Sequence, residues 1–239
     1  MGPTSPVLEA LERGAQDLLL DRAVSRALRP GQNLFMAGDP ATRAHIVTDG
    51  VIKLSARNSE GRTAILGLAL PGELVGEIAA LDGRPQPLDA VAATRAQCLG
   101  VDAEALLSVM TRNPTAALVV ARALASKARA LYASAAERTT GGAPARLAGR
   151  LLALAEVLGR VTDGAVELEL PLPQEDLGGL AGMCRESACK TLRTFKRAGL
   201  LEYRGRRVRI LRPEALERIR AAGRYSAEQG RDREAPVRN

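Results

Sequence analysis

Between Gly31 and Gly83 the chain is cut by glycines at 31, 38, 50, 61, 72, 76 and 83, and the pieces between them are short and rich in Val, Ile and Leu. Pieces of that length and composition, bounded by turn-tolerant residues, make strands rather than helices. Within them, Ala64, Leu66, Leu68 and Leu70 fall on one side of the stretch from Thr63 to Leu70, and Gly50 and Gly61 bracket Val51 to Ser59 as a strand ending in a turn. The expected fold is a small antiparallel barrel or double-sheet roll. Such a roll needs a core, and 46% apolar against 26% charged residues supplies one. A length of 239 residues suits two domains. The longest uncharged run, Thr63 to Gly72, has ten residues, about half of a membrane-spanning helix. Met1 to Leu8 carries no basic leader, so the expectation is a cytoplasmic protein with no membrane partner.

Helices follow the roll. Asp102 and Asn113-Pro114 mark helix starts, because Asp and Asn accept orphan amide hydrogens and proline fits the first turn. Past the second start, Ala117, Ala121, Leu124, Ala128, Leu131 and Ala135 recur at alternating intervals of four and three, a heptad seam of mostly small side chains. The spacing fits pairing with a second copy, and equally fits packing on the roll of the same chain. Thr139-Thr140-Gly141-Gly142 is the expected hinge, and Pro144 opens a helix to about Leu158 with Leu147, Leu151, Leu154 and Leu158 as its buried stripe and Gly159 as its stop. Val166, Leu168 and Leu170 alternate with Glu167 and Glu169 as a half-buried strand.

From Gln174 to Gly199, Leu177 and Leu180 give a first helix its inner face, with Glu175 and Asp176 at its positive end, and Gly182 permits a sharp turn. A second helix from about Arg185 to Ala198 turns Ala188, Leu192 and Phe195 inward and Arg185, Glu186, Lys190 and Arg193 outward. Two helices so joined make a helix-turn-helix, or an ordinary helical hairpin with a solvated charged face. Leu200 to Tyr203, a turn at Gly205, and Val208 to Leu211 then form a basic hairpin that would act as a wing. Residues from Tyr225 to Asn239 are polar and aperiodic, the pattern of a disordered tail.

Charge is localised. Residues 1–140 hold 15 basic and 14 acidic side chains, whereas Arg185 to Arg220 alone hold 12 and 4, a net of +8 within a chain of +7. A concentrated positive face suits a polyphosphate, and an anionic membrane surface would also be attracted. Five aromatic residues are too few for the stacking platforms of single-strand binders, so duplex DNA is the better partner. Three cysteines (Cys98, Cys184, Cys189) fall short of the four thiolates of an iron-sulfur cluster, and one histidine, His45, cannot build a two-histidine zinc site. With no nucleophile elbow, Walker loop or second histidine, no enzymatic activity is expected.

In this order and spacing, L-F-M-A-G-D-P-A (Leu34 to Ala41), H-I-V-T-D-G-V-I-K-L (His45 to Leu54), S-E-G-R-T-A-I-L (Ser59 to Leu66), P-G-E-L-V-G-E-I (Pro71 to Ile78) and C-R-E-S-A-C-K-T-L (Cys184 to Leu192) carry a resemblance. The chain, from about Leu28 to Leu211, resembles the cyclic-AMP receptor protein/fumarate-nitrate regulator (CRP/FNR) superfamily of bacterial transcription factors. The resemblance implies an α+β protein with a jelly-roll sensor domain over 1–112, a dimerisation helix over 113–138, a winged helix-turn-helix over 143–222, and a tail over 223–239. It places Arg185, Glu186 and Lys190 where the family reads bases, with Ser187 on the backbone; Arg193 on the same outward helix face and Arg206 on the expected wing complete the DNA-binding set. Arg grips guanine O6 and N7, Glu accepts from cytosine N4, and Lys donates to guanine. Lys190 stands where the family more often has Arg, and lysine lacks the planar fork. The same resemblance makes the six seam residues from Ala117 to Ala135 a two-fold dimer interface and implies RNA polymerase as a partner.

For the sensor, Gly76-Glu77 matches the pair that holds ribose in cyclic-nucleotide members, or is a roll turn without ligand. The charged pair that holds the cyclic phosphate falls at Gln86-Pro87, where there is no charge, and Arg84 is the one candidate substitute. His45 reads as a core or half-exposed side chain rather than a haem ligand, so no cofactor is identified. The expected function is a dimeric, sequence-specific DNA-binding regulator of transcription acting on an inverted-repeat site. The alternative is a cyclic-nucleotide-responsive module that acts on a protein partner.

Overall fold

A computed structural model describes residues 5–57, 63–170 and 174–223. The chain divides between Leu131 and Tyr132 into two compact units. In the first, β1 (Val24–Leu28), β2 (Asn33–Phe35), β3 (Arg43–Asp49), β4 (Ile52–Arg57), β5 (Thr63–Ala69), β6 (Leu74–Val75), β7 (Asp89–Ala92) and β8 (Ala96–Asp102) form two antiparallel sheets, ordered β1-β8-β3-β6 and β2-β7-β4-β5. Leu28, Val47, Val75 and Cys98 of one sheet and Leu34, Phe35, Ile52 and Ala90 of the other fill one core. Ala44, Ile46 and Val101 point to the opposite side and pack with Leu8, Leu11 and Leu19 around α1 (Pro6–Glu9) and α2 (Arg13–Leu20), and with Leu106 and Val109 of α4 (Ala103–Arg112). The β1-β8-β3-β6 sheet is thus covered on both faces, which is why β3 buries Ala44, His45, Ile46 and Val47 in succession instead of alternating.

Local chemistry sets the helix starts. Asp102 Oδ1 accepts from the amides of Glu104 and Ala105 at 3.0 and 3.2 Å, and Asn113 Oδ1 accepts from Ala116 at 3.1 Å to begin α5 (Pro114–Thr140). The short α3 (Glu77–Asp82) sits between β6 and β7 and starts at Gly76, whose φ of 77° favours glycine.

The second unit takes the last turns of α5, then α6 (Ala143–Leu158), β9 (Arg160–Thr162), β10 (Ala165–Glu169), α7 (Gln174–Leu180), α8 (Arg185–Arg197), β11 (Leu201–Arg204), β12 (Arg207–Ile210) and α9 (Pro213–Ala222). Its sheet runs β11-β12-β10-β9. Leu147, Leu151 and Leu154 of α6 are buried, and Leu158 is half-buried.

Several expectations change. In β5 the buried residues are Ile65 and Ala69, while Ala64 is exposed and Leu66, Leu68 and Leu70 are half-buried, because a register shift between Leu54 and Ser55 resets the pairing with β4. The strand expected from Val51 ends at Arg57, and Asn58 to Arg62, with Ser59 and Gly61, lie outside the described residues. The polar break at Thr139 does not bound the units: α5 continues through Thr140, and Glu137 and Arg138 pack against Gly149 and Gly182 of the second unit. Gly159 ends α6 with an extended backbone rather than a left-handed one. Its lack of a side chain matters because a Cβ there would lie 2.3 Å from the Ala155 carbonyl oxygen. The tail expected from residue 223 lies, past Gly223, outside the described residues.

Gly50 and Gly83 both have left-handed backbones, at φ 75° and 71°, but a Cβ on Gly50 would fall 2.1 Å from the Arg95 carbonyl oxygen whereas one on Gly83 meets nothing within 4 Å. Gly83→Ala therefore costs about 1 kcal/mol, the backbone penalty alone. Gly50→Ala costs at least about 3 kcal/mol, lowering Tm by roughly 6–12 °C. Thermal unfolding of the two variants measures the contrast, and equal losses would show that the strand end relaxes away from the overlap.

Candidate nucleic-acid interface and effector pocket

The turn between α7 and α8 rests on two glycines. At Gly178 a Cβ would approach the Ala188 Cβ to 3.0 Å, so the two helices cross more closely than a larger residue allows, and Gly182 turns the chain with φ 63°. The Met183 amide donates to the Gly178 carbonyl at 2.9 Å, closing the turn. On α8, Ala188, Thr191, Leu192 and Phe195 are buried, and the Thr191 hydroxyl donates to the Ser187 carbonyl at 2.8 Å. Phe195 is among the largest fully buried side chains, worth about 2–3 kcal/mol of transfer free energy. That anchoring fixes which way the rest of the helix looks.

Arg185, Glu186, Lys190 and Arg193 are all exposed, and at 3.6 residues per turn they occupy an arc of about 140°. Ser187 is half-buried at the edge of that arc, its hydroxyl 3.2 Å from the Cys184 thiol. This contact, with the Ser187 backbone, lowers the thiol's pKa from its ordinary value. Cys184 is exposed at the N-cap of α8, and Cys189 is half-buried on the helix.

Behind α8 stands the wing. Strands β11 and β12 are joined by Gly205 and Arg206, with Gly205 at φ 60° in the first turn position, the place of glycine in a type II′ hairpin. Arg204, Arg206 and Arg207 are exposed around that turn. Lys196 lies 5.3 Å from the centre of the Tyr203 ring, a cation–π contact that fastens α8 to β11. Arg209, between the buried Val208 and Ile210, pairs with Glu167 of β10 at 3.3 Å. Arg204, Arg207, Lys196 and Arg197 extend the positive surface beyond the residues singled out from sequence. The basic hairpin was the signal for the first two.

In the first unit, Glu77 is buried at the start of α3 and its Oε1 accepts from Lys127 Nζ of α5 at 2.7 Å. Lys127 also donates to the Leu74 carbonyl. The carboxylate expected to face a ribose is thus already paired within the chain. Sequence reading missed Lys127. Its signal was a charge on the same helical line as the buried Ala116 and Val120. Gln86, at the position of the missing phosphate anchor, is buried, and its Nε2 closes on Gly76, where a Cβ would lie 3.1 Å away. Arg84 is exposed, in a turn where its amide donates to Asp82 Oδ1 at 3.0 Å.

Along α5, Ala121, Leu131 and Ala135 are exposed and Ala117, Leu124 and Ala128 half-buried, whereas Ala116, Val120 and Ser134 are buried. His45 is buried beside Phe35, with ring centroids 5.8 Å apart, and burial with the nearby Arg26 and Arg43 pushes its pKa down to about 4, so it is neutral at pH 7. Burial also raises the Cys98 thiol to about 11.

Residues 25–113 match the family model of the cyclic nucleotide-binding domain, and residues 145–219 that of the Crp-like helix-turn-helix domain. The transcriptional regulator LdrP of Thermus thermophilus is 30% identical over 187 residues, covering 78% of this chain and 92% of that protein. A CRP-like cAMP-activated global transcriptional regulator of Mycobacterium tuberculosis is 29% identical over 201 residues, covering 82% and 90%. Among solved structures, a CRP-family transcriptional regulator of Thermus thermophilus superposes with a TM-score of 0.71 at 28% identity, covering 84% of this chain and 99% of that one. FixK2 of Bradyrhizobium japonicum, at 21% identity, shares the fold with a TM-score of 0.75 over 82% and 96%. With a nucleotide-binding-type roll, a long helix and a winged helix-turn-helix in that order, the chain belongs to the CRP/FNR superfamily of DNA-binding transcription regulators.

Proposed function

We propose that two copies of the chain pair along α5 and present two α8 helices to an inverted-repeat DNA site, as a cytoplasmic regulator that works with RNA polymerase. The observation that carries the reading is the division of α8. One face is locked inward by Ala188, Leu192 and Phe195, and the other offers Arg185, Glu186, Lys190 and Arg193 beside a basic wing. Arg185, Glu186 and Lys190 read base edges, Ser187 and Arg206 hold the phosphate backbone, and Arg193 lies further along the same face. A module acting only on a protein partner has no need of base-reading groups at these offsets. Selection of bound duplexes from a random pool tests the reading. The expected product is an inverted repeat with half-sites about 34 Å apart, one helical turn, and enrichment of unrelated sequences would refute it.

The same selection separates the roles of the side chains. Arg185→Ala costs about 1–3 kcal/mol and relaxes the preference at one guanine per half-site. Arg206→Ala weakens binding to all sequences alike and flattens the salt dependence. Equal losses of discrimination from the two variants would contradict the assignment.

The dimer seam is Ala117, Ala121, Leu124, Ala128, Leu131 and Ala135. Leu124→Glu with Leu131→Glu places like charges across the two-fold axis, desolvated and unpaired. Sedimentation then gives monomers, and an unchanged dimer would mean that the seam serves only its own chain.

The Mycobacterium relative is cAMP-activated by name, but in this chain Glu77 is held by Lys127 and Gln86 carries no charge for a cyclic phosphate. A cyclic phosphate held at position 86 meets an amide in place of a charged side chain, and loses the charge-assisted hydrogen bonds that a guanidinium at that position gives. Gly76 and Glu77 are therefore a structural turn here, and cyclic AMP is not the main effector. Calorimetry with cyclic AMP and cyclic GMP finds weak binding, and DNA affinity changes less than tenfold on their addition. Micromolar affinity with a larger gain, above about 1.4 kcal/mol of coupling, would overturn this.

A further inference from the structure

At one end of the roll a cavity of about 320 Å³ opens between β1, β2 and β3, lined among others by Arg26, Phe35, Asp39, Arg43, His45 and Gln86. Glu77 is not part of its wall. Two of the polar side chains are more than nine-tenths buried, His45 at 6% and Gln86 at 4% exposure, and among the described residues His45 Nδ1 and Gln86 Oε1 have no hydrogen-bond partner. Buried polar atoms are rarely left so, and two of them lining one cavity next to two guanidinium groups are a built set of ligand contacts.

The contacts specify the ligand. Arg26 Nη1 donates to the Leu34 carbonyl at 2.7 Å, and Arg43 Nη1 to the carbonyls of Arg22 and Gly100 at 3.1 and 3.4 Å. Among the described residues these bonds engage one nitrogen of each guanidinium, and its other N–H groups can meet an anion. Asp39 contributes the one carboxylate of the lining, and its Oδ2 accepts from the Met36 amide at 2.8 Å. With His45 neutral, two guanidinium charges against one carboxylate leave the cavity at +1. That balance suits a monoanion. Gln86 Oε1 is an acceptor and requires a donor on the ligand, while neutral His45 serves as donor or acceptor according to its tautomer. Phe35 gives the wall an apolar, aromatic part, and the volume is at the small end of ligand sites.

We propose that this cavity binds a small monocarboxylate that also carries a hydroxyl group: the carboxylate on Arg26 and Arg43, the hydroxyl donating to Gln86 Oε1, and His45 Nδ1 completing the set. The site borders the turn at Gly76, where an added Cβ would meet Gln86, Phe35 and the Arg43 carbonyl at 3.1–3.3 Å, but Glu77 does not line it. The site stands apart from the DNA-binding reading, since duplex selection succeeds or fails whatever this cavity holds.

The test uses the full chain and three probes, 4-hydroxybenzoate, lactate and 3-hydroxybutyrate, with benzoate, propionate and butyrate as counterparts lacking the hydroxyl. Thermal shift and calorimetry are expected to show saturable binding of at least one hydroxy acid, at least tenfold tighter than its counterpart. His45→Phe, which keeps the ring beside Phe35, and Arg26→Met each weaken that binding at least tenfold. Circular dichroism and unfolding of the variants without probe establish that the roll is intact. No binding by any hydroxy acid at millimolar concentration, equal binding of the counterparts, or binding unaffected by both substitutions would each overturn the proposal.

Discussion

A helix of 27 residues with two apolar stripes cannot bury both against one roll, and α5 is such a helix. The stripe through Ala116 and Val120 is buried, and Lys127 on the same line reaches the Glu77 carboxylate. The neighbouring stripe, about 100° further round, holds Ala117, Ala121, Leu124, Ala128 and Leu131 and stays partly or wholly exposed, with Leu131 at 44%. Small side chains along an open stripe permit backbones to approach closely, and a seam that repeats every seven residues is complementary to its own copy about a two-fold axis. In the proposed dimer, this division of labour between the stripes lets one helix serve both the fold of its own unit and pairing with another chain.

Lys127 and Glu77 make the inner stripe more than an apolar contact. An ammonium group at 28% side-chain exposure and a carboxylate at 6% are both partly removed from water, and such a pair holds because each compensates the desolvation of the other. Breaking it by removing one partner leaves a buried charge. The position of α5 against the roll is therefore held by the chain's own side chains. A ligand can change that position only by the difference in its affinity for two arrangements, and one that competes for Glu77 must first displace the ammonium. An effector acting elsewhere on the roll carries no such cost.

Much of this was legible in the sequence, and the failures have physical causes. Turn glycines announced the roll, Asp102 and Asn113 announced their helices by chemistry confined to three or four residues, and the i, i+4, i+7 spacing of Ala188, Leu192 and Phe195 fixed the outward face of α8. The inward face of β5 was not legible, because a one-residue register shift opposite Leu54 reverses which side chains face the core, and periodicity does not record bulges. The hairpin from β9 to β10 carried a signal that went unread, Asp163-Gly164, whose φ values of 50° and 75° are those of a type I′ turn. The boundary between the units was hidden for another reason. Helix-breaking residues mark where α5 stops, whereas the units part where packing changes partners, some two turns earlier. Lys127 and Gln86 owe their roles to residues 50 and 10 positions away, and no local pattern encodes such pairings.

The charges on α8 distinguish structural from functional use. Lys196 and Arg197 lie in the last turn, where the helix dipole favours cations, and Lys196 also rests over Tyr203. Glu186 lies in the first turn, where the dipole favours an acid. These three positions stabilise the helix in isolation. Arg185 runs the other way, a guanidinium at the positive end of the helix, disfavoured by up to about 1 kcal/mol there. The same N-terminus, with its unsatisfied amides, attracts anions, so an arginine placed on it strengthens the field that a phosphate or a guanine edge meets. A helix shaped only for stability would carry an acid at that position. An arginine is what an approaching polyanion would favour.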